Sequence, residues 1–529
     1  MPILTAVDLV GIQRFIFRSN RLKDVYSSSM AVEWATSDER ENGKDKALLR
    51  AGIAPEHVLM AAGGNALLLF PDLDLAKGFA ARYSRLLLEK TPGLDAVICH
   101  EEYQNGGLRR CVRQIQETLQ LKKRARKVSS PLLGISVNAV CAETGLPAVA
   151  GEDDELLSRS IRKIREFGGD KDSSDAAKSY PSPCWPQDSE FTFPKDVDRL
   201  GRTEGQFSYI AVVHIDGNGV GKKIQDWSNS LEENMADDKY RESYRTWSVA
   251  LDELSHCAMQ NAMELLGGAL VRDPDIQGYS IGADDLLIEL KRRDCKVELP
   301  IRPILAGGDD LTFVCDGRLA LALVECVLRK FKSNSIPHLG TVEASAGIAI
   351  VPSHTPFSRA YELAEDLCGS AKRLSRLRGG AAALDWHIGE ITPGQSLAEL
   401  RAKEYTSGPY LLTARPYLLD SASSTDWAAI KRDFLSKNPG SLRHDCWRAS
   451  GNKLKELRDV LRDGPSAVKR ALIKWRVANP QLELPGEFSD GFKWSQDGQE
   501  AWTPVLDAIE LTDFYMDIRI PMEPVNENA

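Results

Sequence analysis

No two cysteines in this chain are spaced as CxxC, although there are ten among its 529 residues, so a zinc ribbon is not supported. Several cysteines, such as Cys315 in LTFVC and Cys326 in ALVEC, lie in apolar runs and read as reduced core residues. No apolar run reaches the length of a membrane span. The opening residues, MPILTAVDLVGIQRFIF, carry neither a basic n-region nor a small-residue cleavage site. The localisation expected is therefore cytoplasmic, with no membrane partner. An excess of positive charge is missing too. The net charge is −9 and the pI about 5.6, so nucleic-acid binding would depend on local patches. Histidines number only eight. His444-Asp445 lacks the further His and Asp residues that an HD phosphohydrolase needs. What is present is ordinary for a globular chain, 43% hydrophobic and 27% charged, and its length suggests about three domains.

Apolar runs and turn residues outline a repeat. Residues 3–9 (ILTAVDL) read as a buried strand, followed by a helix from IQRFIF. VLMAAGGNALLLF (58–70) reads as a hairpin turning at Gly63-Gly64-Asn65, because glycine and asparagine tolerate positive φ. Residues 73–90 have helical periodicity, and 135–149 return to strand character. The same order recurs later. YIAVVHID (209–216) is a strand, PILAGGDDLTFVC (303–315) a hairpin, LALALVECVLRKF (319–331) a helix and EASAGIAIV (343–351) a strand. FSRAYELAEDLCGSAKRLSRL (357–377) is a long amphipathic helix. This is a divergent internal duplication in which Asp8 corresponds to Asp216 and Gly63-Gly64-Asn65 to Gly307-Gly308-Asp309. The second copy holds an insertion within 226–300. The expected fold is α+β, each copy an antiparallel sheet with helices on one face. The domains expected are 1–150, a polar linker at 151–200, 201–390, and a helical C-terminal domain at 391–529 ending in a disordered tail.

The acidic residues carry the chemistry. Nucleotidyl transfer uses two divalent cations about 3.5–4 Å apart, held by carboxylates. A strand ending in Asp216 beside a hairpin tip carrying Asp309 and Asp310 supplies such a set. Mg²⁺ or Mn²⁺ (two ions) is the cofactor this pattern fits. Gly307 and Gly308 let the tip turn tightly and let backbone approach a nucleotide. Gly217, Asn218 and Gly219 precede a helix start whose N–H groups could cradle a triphosphate. Lys222 or Lys223 would add charge there, and Lys372 points at the β- and γ-phosphates. In the first copy Asn65 replaces an acid, so that half is expected to be silent, with Asp8 a strand-end carboxylate. Gly282-Ala283-Asp284-Asp285 is a second acidic pair, better read as an exposed turn. LKKRARK (121–127) is the sharpest basic run, open to a phosphate backbone or simply a solvated helix face. His214 shares the strand face of Asp216 and is expected to be a structural histidine.

At these residues the sequence resembles the large, palm-containing subunit of type III CRISPR effector complexes. AVDLVGIQRFIFRSNRLKDVYSSS, AAGGNALLLF, VVHIDGNGVGKKI, LAGGDDLTFVC, SAGIAIV and YELAEDLCGSAK carry the resemblance, from the start to about residue 390. It is nearest to standalone relatives with two palms and no nuclease domain. The HD nuclease domain usual at the family's N-terminus is not expected, because the first palm starts at residue 3. The paired cysteines of the family's zinc module are missing between the palms. The resemblance implies two ferredoxin-like (RRM-like) palm domains of the GGDEF and polymerase-palm type, one degenerate. It implies conversion of ATP into cyclic oligoadenylates through 3′–5′ linkages in antiviral signalling. Asp216, Asp309, Asp310 and Lys372 are the positions that match the family's motifs. Expected partners are nucleoside triphosphates and an RNA or protein activator, with the two palms paired within the chain. Three other readings stay open: a non-catalytic RNA- or nucleotide-binding subunit of a ribonucleoprotein, a nucleotide sensor, and a templated polymerase.

Overall fold

The structure is a computed structural model. It describes the chain except residues 38–39, 42–43, 105, 127–136, 153–154, 169–175, 182–183, 186–189, 201–207, 233–234, 284–285, 291, 294–295, 391, 393, 422–425, 495–499 and 519–529. The first palm is a four-stranded antiparallel sheet. Its strands are β1 (Ile3–Val10), β2 (Val58–Ala62), β3 (Asn65–Phe70) and β4 (Asp95–Glu102), in the order β2-β3-β1-β4. The second palm repeats that order with β5 (Tyr209–Gly217), β6 (Ile301–Gly307), β7 (Asp310–Asp316) and β8 (Ala344–Pro352) as β6-β7-β5-β8. Two further strands extend this sheet: β9 (Ala383–Ile388), parallel to β8, and β10 (Tyr417–Leu418).

The helices repeat as well. In the first palm α1 (Leu22–Thr36), α2 (Leu73–Lys90) and α3 (Leu108–Ala125) follow β1, β3 and β4. A further helix, α4 (Arg159–Gly168), packs on α1. In the second palm α5 (Val220–Ser230) follows β5, and α6 (Asp237–Gly268) lies in the insertion. α7 (Ala320–Ser333) and α8 (Phe357–Leu377) follow β7 and β8. The central strands β1 and β5 are buried almost throughout, which is why they read as continuous apolar runs rather than alternating ones. One apolar cluster unites Ile3 and Val7 of β1 with Val212 of β5 and Phe357 and Leu367 of α8. The palms therefore share a core. Phe17 of the first palm stacks on Tyr361 of the second at 4.2 Å.

Some expectations change. The strand character expected at 135–149 is met only at its end, where Ala148–Glu152 is a strand paired with Glu155–Ser158, and this strand is not the fourth of the first palm. That position belongs to β4, and from 137 to 147 the chain makes turns with a single bridge, Val140 to Pro147. Residues 135–136 lie outside the described residues. In β4 half-buried residues interrupt the apolar positions, which hid it from a reading based on apolar runs. The segment 151–200, expected as a linker, holds α4. There Arg165 forms a bidentate pair with the fully buried Asp24 at 2.6 and 3.1 Å. C-terminal to residue 390 there are helices such as Gly451–Val460 and Pro465–Arg476, and also a small sheet of two-residue strands. Buried Arg415 ties this region to the palm: it donates to the Trp386 carbonyl at 2.9 Å and pairs with Asp507 at 3.0 Å. His444 closes a helix start, accepting from the Cys446 N–H at 3.4 Å.

Candidate functional site

The register of the central strands sets the site. Asp216 lies directly opposite Asp310 across the β5–β7 ladder, and Gly307 opposite Asp310 across the hairpin. In the first palm Asp8 faces Asn65, and Ala62 faces Asn65. Asn65 is therefore the counterpart of Asp310, and Gly64 that of Asp309, a one-residue correction to the sequence pairing. The shift arises because the first turn uses both glycines at its tip, each with positive φ, whereas the second uses Gly308 and Asp309 with only the glycine at positive φ. A side chain at Gly64 would collide with Ile12. Both acids of the tip are thus absent from the first palm.

Around Asp216 the chain is held closely. The Gly217 N–H donates to the Asp309 carbonyl at 3.2 Å. A Cβ on Gly217 would stand 2.8 Å from the Asp309 Cβ, so glycine there lets strand and tip touch. Asp252 of α6 accepts the Gly308 N–H at 2.8 Å and fixes the hairpin from the insertion. Gly307 and Gly63 meet back to back, so the two tips adjoin. Gly219, at φ 68°, starts α5 beside open space. Asn218 is engaged elsewhere. Its side-chain amide donates to the Gly380 carbonyl at 3.1 Å and its oxygen accepts from Ser345 at 2.8 Å, which anchors the loop. Lys222 is exposed on α5. Lys372 forms an ion pair with Asp216. Asp284 and Asp285 lie outside the described residues.

The electrostatics are those of crowded carboxylates. Burial, then the Asp216 charge, pushes both Asp309 and Asp310 well above the usual carboxylate range. Burial also raises Glu365 on α8, with Asp366, Glu362 and Asp216 adding to it. His214 is pushed down to about 4 by burial, against the pull of Asp216, and so is neutral near pH 7. Ligand atoms of His214, Asp216 and Asp310 all lie within 4.8 Å of one another. Crowded, largely buried acids that raise one another's pKa, with one lysine among them, are a donor set that divalent cations satisfy. The residues present therefore fit metal binding.

The first palm carries a parallel that composition obscured. Lys123, from the basic run 121–127, pairs with the buried Asp8. Lys123 and Lys372 are each the sixteenth residue of α3 and α8. The repeat thus kept the Asp–Lys pair and lost the tip acids. The signal was present in the sequence as equal spacing from each helix start, masked by the neighbouring basic residues. Lys123→Ala would leave Asp8 buried and unpaired. With Lys123 partly exposed, a loss of about 1–3 kcal/mol is expected, read as a lower midpoint in urea unfolding.

Comparison with known proteins agrees with this fold. Residues 209–378 match the family described as Cas10/Cmr2, second palm domain. The whole chain is similar in fold to a Csm1–Csm4 cassette in complex with cA4, with a TM-score of 0.52 and 15% identity over 97% of this chain and 70% of that one. A Csm1–Csm4 cassette in complex with one ATP gives a TM-score of 0.54 and 13% identity over 97% and 70%. Csm1 of T. onnurineus gives 0.52 and 15% over 97% and 69%. No curated protein matches the chain. The resemblance read from the sequence therefore stands at the level of fold: residues 209–378 match a Cas10/Cmr2 second palm domain, and the whole chain, with two palms and a helical region, is similar in fold to Csm1. Among the described residues no helix is long and apolar enough to cross a membrane.

Proposed function

We propose that this Cas10-like chain is a metal-dependent nucleotidyltransferase that makes cyclic oligonucleotides from ATP in the second palm. The observation that carries the reading is the convergence of Asp216, Asp309 and Asp310 at a strand end and hairpin tip, where burial and the Asp216 charge raise the pKa of the two tip acids. The reaction joins the 3′-oxygen of one nucleotide to the α-phosphorus of another. The α–β phosphoanhydride breaks, pyrophosphate leaves and the hydroxyl proton passes to water. Asp216, Asp309 and Asp310 would hold Mg²⁺ or Mn²⁺, which when bound lowers the hydroxyl's pKa and stabilises charge on the leaving group. Lys372 would exchange its carboxylate partner for the β- and γ-phosphates. The open space at Gly219 and the N–H groups opening α5 suit the triphosphate, and Lys222 faces solvent where it can meet it. Gly217, Gly307 and Gly308 keep the strand and tip free of side chains. Asn218 positions the loop rather than reading the nucleotide. The first palm, without tip acids, would seat the acceptor nucleotide.

The solved relatives named as complexes with cA4 and with ATP support the nucleotide class. The Lys372–Asp216 pair favours a second reading, a nucleotide sensor, because it leaves the site partly neutralised without metal. Incubation of the full chain with each NTP and Mg²⁺ or Mn²⁺, followed by mass spectrometry, tests the proposal. The expected product resists phosphatase and carries no terminal phosphate. A linear product with a 5′-triphosphate would make the chain a polymerase. Triphosphate-dependent thermal stabilisation without any product, also with RNA or cell lysate added as activator, would make it the sensor.

A further inference from the structure

We infer that His214 is a nitrogen ligand for a divalent cation held with Asp216 and Asp310, and that it biases the site toward Mn²⁺ over Mg²⁺. This rests on the proposed metal site and specifies it.

The geometry begins with the strand. His214 is two residues before Asp216, so both side chains project to the α8 face of β5. Across the ladder it faces Thr312, two residues beyond Asp310. It therefore forms the floor under the carboxylates. It is 7% exposed. Its contacts are both through Nδ1, with Thr312 Oγ1 at 3.4 Å and Tyr361 Oη at 3.5 Å. Those separations exceed ordinary hydrogen bonds to nitrogen, so a buried polar ring lacks a strong partner, and buried polar groups seldom do. Among the described residues Nε2 makes no such contact.

An ion supplies that partner. Two ligand atoms about 2.1 Å from one ion stand no more than about 4.2 Å apart. The ligand atoms of His214, Asp216 and Asp310 lie within 4.8 Å, so a contraction of about half an ångström closes them on a cation. The two hydroxyls on Nδ1 then take the orienting role that outer partners play for metal-bound histidines. The first palm supplies a control within the chain. Two residues before Asp8 stands Ala6, and opposite Asp8 stands Asn65. Imidazole is absent where the tip acids are absent. Magnesium is a hard ion that prefers oxygen, whereas the later divalent metals accept imidazole more readily.

The test is pulsed electron paramagnetic resonance of Mn²⁺ bound to the full chain, beside calorimetric titrations with Mn²⁺ and Mg²⁺. The wild type is expected to show ¹⁴N modulation that disappears in His214→Gln. Mn²⁺ affinity should fall about 10–100-fold in that variant, with a smaller change for Mg²⁺. A thermal melt of His214→Gln checks its fold, and His214→Asn serves as a second variant if the first unfolds. Mn²⁺ binding without ¹⁴N modulation, lost in Asp309→Ala/Asp310→Ala, would overturn the histidine ligand and leave the carboxylate site standing. Absence of Mn²⁺ binding in the wild type would overturn both.

Discussion

Asp309→Ala/Asp310→Ala is expected to lower nucleotide turnover by at least about a thousandfold, a loss of about 4 kcal/mol of transition-state stabilisation, while the fold persists and its metal-free Tm does not fall. The two side chains sit at a hairpin tip and contribute little core. Their burial beside Asp216 raises their pKa values in the folded chain. The sign of the linkage follows. A carboxyl with a raised folded pKa binds its proton more tightly when folded. It favours the fold below the unfolded value of about 3.9, and that contribution is lost as pH rises toward the folded value. Metal-free wild type should therefore lose stability between about pH 4 and neutrality. The double variant should lack this part of the slope, and Mn²⁺ should restore wild-type stability without affecting the variant. Thermal melts across pH, with and without Mn²⁺, provide the check. A double variant that is insoluble, or whose Tm drops by many degrees, would place these residues in the fold rather than in the chemistry.

Gly347→Ala should be the most damaging single methyl group in the second palm. Gly347 lies on β8 opposite His214 of β5. A Cβ there would overlap the carbonyl of Ala364 and the amide nitrogen of Cys368. Both are backbone atoms of α8, so no rotamer change relieves the clash, and the helix must lift from the sheet. Overpacking typically costs 1–3 kcal/mol, and a collision with helix backbone places this one near or above about 3 kcal/mol. The helix carries Tyr361, Glu365 and Lys372, so activity should fall even at temperatures where the variant stays folded. Urea unfolding and an ATP turnover assay on the same preparation read both effects. A midpoint within error of wild type would mean that the strand and helix are less closely seated than described.

Much of this was legible in the sequence, for physical reasons that also explain the gaps. β5 and the β6–β7 hairpin could be read because a strand buried on both faces is uniformly apolar and because Gly-Gly marks a tight tip. The same logic placed Asp216, Asp309 and Asp310 together, and the strand register puts Asp216 opposite Asp310. β4 was missed because its half-buried polar positions diluted the apolar run. The hairpin alignment slipped by one because residue identity does not report which two positions turn. Asp252 could not be found, since it reaches the tip from a helix in the insertion, a contact without a local pattern. Lys123 was visible only as charge, because an ion pair between a strand end and a helix is a tertiary fact. Asn218 reads as a phosphate-loop residue by position, yet its side chain anchors Ser345 and Gly380.

Pyrophosphate release from ATP, compared between wild type and Asp216→Asn at saturating Mn²⁺ and again with EDTA, reports directly on whether the carboxylate cluster catalyses nucleotidyl transfer. Repeated turnover by the wild type, absent in Asp216→Asn and with EDTA, is the expected result. Release at equal rates from both proteins, or turnover undiminished by EDTA, would contradict it.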